Sequence, residues 1–173
     1  MKSTWKYALS LALGMILMGT VQAQKFGYVN SGSVLEAMPE VKEAESNLDA
    51  LGKQLQAKGE KMMQDFQLKY QELDRKVQAG EITPKDQETQ TAALEEERNK
   101  ILQYDQDMQK QLADKKEALL TPILDKVKAA IDAVAKENGY TYVFDGSPGI
   151  GVILYADDST NITPLVLTKL GLQ

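Results

Sequence analysis

The side chains left for chemistry in this sequence are carboxylates, Lys, Tyr and hydroxyls. Glu95-Glu96-Glu97 and Asp157-Asp158 are its only runs of adjacent carboxylates. Clustered carboxylates can serve acid–base chemistry or hold a hard cation. Successive residues on a helix point about 100° apart, so the three glutamates splay and read as a solvated charged face. Asp157-Asp158 lies in a loop-like stretch with too few other oxygen ligands nearby for a calcium site. Asn161-Ile162-Thr163 fits a glycosylation sequon but is followed directly by Pro164 and is discounted. The chain has no His and no Cys. That removes imidazole bases, thiol nucleophiles, disulfides, and His- or Cys-ligated metals. No catalytic residue, cofactor or metal is expected, and an enzyme is the least favoured class. A formal charge of −5 and a pI near 4.9 also argue against a nucleic-acid partner, which calls for a basic face.

Residues 1–23 read as a secretory signal peptide. Lys2 and Lys6 precede an apolar run from Tyr7 to Met18, and Val21 and Ala23 occupy the −3 and −1 positions of a small-residue cleavage site. The run falls short of the ~20 apolar residues of a membrane span. A mature chain beginning at Gln24, without stable membrane insertion, is therefore expected outside the cytoplasm. Having no thiols, it tolerates an oxidising compartment.

The mature chain divides by composition. Residues 40–138 are rich in charge, Gln and Ala, whereas most aromatics lie in the flanks, 24–39 and 139–173. In the flanks, Phe26 and Tyr28, and then Tyr140, Tyr142 and Phe144, alternate with period two, the mark of strands. A third strand is expected at 150–156, carrying Val152 and Leu154, after a hairpin turn through Gly146, Pro148 and Gly149. Ser33 to Glu36 reads as the cap of a short helix, and Thr163-Pro164 as the start of another.

In the middle, Val41, Leu48, Leu55 and Met62 recur every seven residues. Phe66, Tyr70, Leu73 and Val77 continue that stripe. A second stripe runs from Leu94 through Ile101, Met108, Leu112, Leu119, Ile123, Val127 and Ile131 to Val134. Two stripes on one chain predict an antiparallel coiled-coil hairpin. Its tip is expected near 80–83, where Gly80 can end one helix and Thr83, Pro84 and Asp86 form a capping box for the next. The arm should reach roughly 60 Å at ~1.5 Å per residue. Pro122, inside the second stripe, predicts a kink or break. The fold class is therefore α+β: a small β body carrying a long helical hairpin arm. So few short strands cannot close a sheet alone, so the body is expected to be assembled across subunits.

The segments GYVNSGSVLEAMPE at 27–40, LLTPILDKVKAAIDAVAKENGYTYVFD at 119–145 and NITPLVLTKLG at 161–171, set around a charged hairpin and behind a signal peptide, resemble the Skp/OmpH family of periplasmic chaperones. The resemblance implies a homotrimer whose strands and short helices form one body. It also implies three arms around a cavity that holds unfolded outer-membrane proteins without ATP. Phe26, Tyr28, Tyr140, Tyr142, Phe144, Val152 and Leu154 would build that body. Two features depart from the family's basic member. Residues 40–138 hold 16 basic against 21 acidic residues, and no compact Lys/Arg cluster offers a lipopolysaccharide site. Apolar contacts, not a basic cavity, are therefore expected to hold clients.

Candidate contacts follow from the helical period. Met62 and Met63 are adjacent and cannot both face one seam. With Met62 in the seam, Met63 points outward, where a flexible thioether suits varied apolar partners. Leu102, beside Ile101, is placed in the same way, and Phe66 is a further candidate. Each also reads as a plain seam or edge contact. Gly52 and Gly59, seven apart, either let the arm bend or relieve close packing. A second functional reading makes the hairpin a structural adaptor docking onto another envelope assembly.

Overall fold

A computed structural model describes residues 24–172; the predicted signal peptide lies outside them. The described chain is a helical hairpin standing on a small sheet. Strand β1 (Phe26–Val29) leads into α1 (Ser31–Ala37), and α2 (Pro39–Gln78) ascends. Helix α3 (Pro84–Glu137) descends to β2 (Tyr142–Asp145), and α4 (Thr163–Lys169) closes the body. The two strands are parallel, in the register Phe26↔Tyr142 and Tyr28↔Phe144. The crossover between them is the whole hairpin.

At the tip, Gly80 takes φ +68°, a left-handed conformation that costs glycine nothing. Thr83 then accepts a hydrogen bond from the Asp86 amide at 3.2 Å, and Pro84 fills the first helical turn. The predicted N-cap is present, but the box is only half made, because Asp86 Oδ2 accepts from the Thr83 hydroxyl at 2.6 Å and not from its amide.

The core lies where the hairpin meets the body. Val34, Met38, Ile162 and Val166 are completely buried, each contributing about 1.5–3 kcal/mol of burial energy. Ala44 of α2 and Ile123, Val127, Ala130 and Val134 of α3 pack against them.

Three local expectations are corrected, and a fourth, the kink or break at Pro122, is narrowed because the helix runs on without a break. The cap of α1 is Asn30, whose side chain accepts from the Ser33 amide at 2.9 Å. The helix therefore starts before the Ser33–Glu36 pattern. Pro122 does not break α3. Its missing N–H frees only the carbonyl of Ala118, an exposed residue whose carbonyl water can serve, while Leu119, Leu120, Ile123 and Val127 hold both sides of the proline on the core.

The segment 150–156 is not a strand and makes no hairpin with β2. Gly149 and Gly151 have φ +89° and +70°, which breaks extended geometry, and none of the described residues forms a ladder with the segment. On the free side of β1, Asn161 instead forms a bridge with Tyr28. Tyr140 does not share the face of Tyr142 and Phe144. It precedes the strand, and its ring packs inward, so that a Cβ on Gly27 would lie only 2.9 Å from it. The Lys25 ammonium sits 4.1 Å from the ring centre.

Candidate functional site

Two surfaces of the molecule leave apolar side chains uncovered. The first is the outer face of the sheet. Period two sends Phe26, Tyr142 and Phe144 to the same side. Their rings stack, with centroids 5.8 Å apart for Phe26–Tyr142 and 6.4 Å for Phe26–Phe144. All three remain exposed. The strandless run beyond Gly151 lies along them, and Val152, Leu154 and Tyr155 join Phe26, Tyr28 and Phe144 around a groove of about 520 Å³. Leu154 is 97% exposed. A contiguous apolar patch of this kind marks an interface.

The inner side of the same sheet is rigidly tied. Ser31 Oγ donates to Asp145 Oδ2 at 2.5 Å, and Ser147 donates to Oδ1 from its hydroxyl at 2.6 Å and its amide at 2.9 Å. Ser147 Oγ accepts from the Gly32 amide at 3.0 Å, and Thr163 Oγ1 accepts from the Asn30 amide at 2.9 Å. Burial pushes the Asp145 carboxyl upward, but the hydrogen bonds from Ser147 and Ser31 outweigh it and hold the group below the usual carboxylate range. The network joins β2, α1 and α4, and so sets the plane on which the stacked rings stand.

The second surface is the arm. Leu55, Leu73, Leu94 and Ile101 are buried between α2 and α3, while Met62 and Phe66 are half-buried at the seam. Met63 is 43% and Leu102 52% exposed. Tyr70 and Val77, assigned to the seam by their spacing, are exposed instead.

Sequence reasoning missed Tyr104. It is buried, its hydroxyl donates to the Leu55 carbonyl at 2.9 Å, and the Lys58 ammonium lies 5.0 Å from its ring. Its position three residues after Ile101 was the available signal. Gly59 makes room for this ring, since a Cβ there would lie 3.3 Å from Tyr104 Cε1, whereas Gly52 meets nothing within 4 Å.

The carboxylate runs do not converge. Glu97 pairs with Lys69 and Glu96 with Lys100, whereas Glu95 lines a groove near the tip. Asp157 accepts from the Ser159 amide to cap a short 3₁₀ turn.

Comparison with known proteins decides the family. Residues 25–170 match the family model described as outer membrane protein (OmpH-like). The chain belongs to the OmpH-like family. The chaperone protein Skp of Yersinia enterocolitica is 28% identical over 171 residues, which span 95% of this chain and 97% of that one. The crystal structure of an OmpH-like protein from Caulobacter crescentus CB15 superposes with a TM-score of 0.72 at 18% identity, covering 90% of this chain and 88% of the other. That likeness places the hairpin and small sheet in the OmpH-like fold. A chaperone role follows from the family, whose relatives are chaperones and not enzymes. Among the described residues no helix is long and apolar enough to cross a membrane.

Proposed function

We propose that this OmpH-like chain is an ATP-independent periplasmic holdase, exported by residues 1–23 and matured at Gln24. Residues 24–39 and 139–173 form the oligomerisation body, and residues 40–138 form the arm. Three copies join through the stacked face of Phe26, Tyr142 and Phe144 with Val152 and Leu154. Their arms enclose unfolded outer-membrane proteins and other envelope proteins. The observation that carries this reading is the pairing of an uncovered aromatic face on the body with a charged arm that leaves apolar residues such as Met63 and Leu102 exposed. Met63, Leu102, Met62 and Phe66 offer weak contacts and no deep site, so holding comes from many contacts at high local concentration, and the client need not fold. The acidic arm gives lipopolysaccharide no basic cluster to bind.

The test is aggregation of a urea-diluted outer-membrane barrel at stoichiometric chaperone without nucleotide. The holdase suppresses light scattering; an adaptor that only docks onto another assembly leaves it unchanged. Light scattering after size exclusion should give three chain masses, and Tyr142→Asp should give one.

A further inference from the structure

The two flanks of the hairpin near its tip are chemically opposite. One flank is ion-paired. Lys69 bridges to Glu97 across the helices at 2.7 Å. Glu72 on the same flank takes both Arg75 and Lys76, and the Arg75 guanidinium, helped by Lys76, holds the Glu72 carboxyl down at about 2.

The other flank carries no ion pair among the described residues. Met63, Tyr70 and Val77 recur on it every seven residues along α2, and the helical period puts Arg98 and Leu102 of α3 beside them. Between the helices here lies an open groove of about 420 Å³. Its floor is Leu73 and Leu94, and the rings of Phe66 and Tyr70 stand on one wall, 6.4 Å apart. Tyr70 is 59% exposed, more than a seam residue tolerates. The rim holds both donors and acceptors: Arg98, Gln87 and Thr91, with the carboxylates of Asp74 and Glu95. Arg98 has no hydrogen-bond or ion-pair partner among the described residues.

We infer that this groove is the arm's primary client contact and takes an extended segment of polypeptide in which apolar and polar residues alternate. The chemistry of the rim selects that occupant. An apolar floor edged by mixed donors and acceptors complements a chain that presents both side chains and unpaired backbone N–H and C=O groups. The helical face of a second arm has its backbone hydrogen bonds already made and could reach the rim only with side chains, and a lipid could reach it only with its headgroup, so an extended chain matches floor and rim together most fully. In an extended chain every second side chain points the same way. Alternate apolar residues then enter the groove while the intervening polar ones stay in water, which is the pattern of a membrane β-strand before it folds. The inference rests on the holdase reading and adds where, and by which sequence pattern, the client is first engaged.

The test uses the full mature chain and a fluorescein-labelled ten-residue peptide alternating Leu/Tyr with Ser/Asn. A peptide of the same composition with its apolar residues in one block is the control. Anisotropy should show tighter binding of the alternating peptide. Tyr70→Ser with Val77→Ser, both at exposed positions, should weaken it about tenfold. Leu68→Ser, exposed on the back of α2, should leave it unchanged.

Equal binding of the two peptides, or equal loss in the Leu68 variant, overturns the inference. So does a change in oligomer mass in the Tyr70/Val77 variant, which would make the groove a contact between copies. Loss in that variant of binding to phosphatidylethanolamine/phosphatidylglycerol vesicles would reassign the groove to lipid and also overturn it. The wild-type aggregation assay separates the two readings. If scattering is suppressed but the groove variant binds peptide normally, only the groove assignment falls. If the wild type fails to suppress scattering, the holdase reading itself falls.

Discussion

The base of the molecule and its arm are held together by different physics. At the base, four side chains are fully buried, and a carboxylate receives several hydrogen bonds from neighbouring elements. Along the arm a single seam separates two helices whose other faces meet water. The base therefore gains its stability from convergence of distant segments, and the arm gains it turn by turn. That division would serve the proposed holdase, with a fixed base and arms that accommodate varied chains.

The sharpest way to break the contrast is a cavity at the base. Ile162→Ala should cost about 3 kcal/mol, read as a lower urea midpoint of the tyrosine near-ultraviolet signal. Amide exchange at the arm tip should not change. If the tip loses protection equally, base and arm are one cooperative unit.

Acid should act on the base next. The Asp145 pKa is lowered in the folded chain. A lowered carboxylate contributes stability that is fully present above its unfolded pKa and is lost as pH falls through the folded value. Urea stability of the base should hold at neutral pH and fall below about pH 4. Asp145→Asn should cost about 1–3 kcal/mol at pH 7 and flatten that acid limb. An unchanged limb would assign the acid sensitivity to other groups.

Effects on the arm should be smaller. Tyr104→Phe removes the donor to the Leu55 carbonyl and should cost about 1 kcal/mol, seen as faster amide exchange around residues 55–59 and 101–104. The two seam-side glycines sharpen the picture further. Gly52→Ala gains helix propensity of roughly 1 kcal/mol with nothing in the way, so the melting temperature of the arm should rise. Gly59→Ala meets the Tyr104 ring and should gain less, or lose. Equal gains would mean that Gly59 makes no room for Tyr104.

These contrasts were unevenly legible. The two helical stripes, the short strands and the Thr83–Asp86 cap could be read directly, because periodicity and capping depend on residues only a few positions apart. The same local logic misassigned Tyr70 and Val77 to the seam, since it counts apolar spacing but not where the partner helix lies. It also missed Tyr104, whose role depends on a glycine and a carbonyl on the opposite helix. For the candidate site, Met63 and Leu102 were legible as outward-facing residues because their neighbours Met62 and Ile101 take the seam. The groove between Phe66, Tyr70 and Arg98 was not legible, because its walls come from both helices.

Sequence alone determined the elements with short-range causes: the hairpin, its cap, the absence of imidazole and thiol chemistry, and the aromatic alternation of the flanks. Tertiary structure alone decided the rest. It showed that β1 and β2 pair in parallel across the entire arm, and that Tyr140 turns inward while Phe26, Tyr142 and Phe144 stack outward. It kept α3 continuous through Pro122 and left 150–156 without a strand partner. The reason is the same in each case: partners far apart in sequence choose among local conformations of nearly equal energy, and residue spacing carries no record of which partner is near.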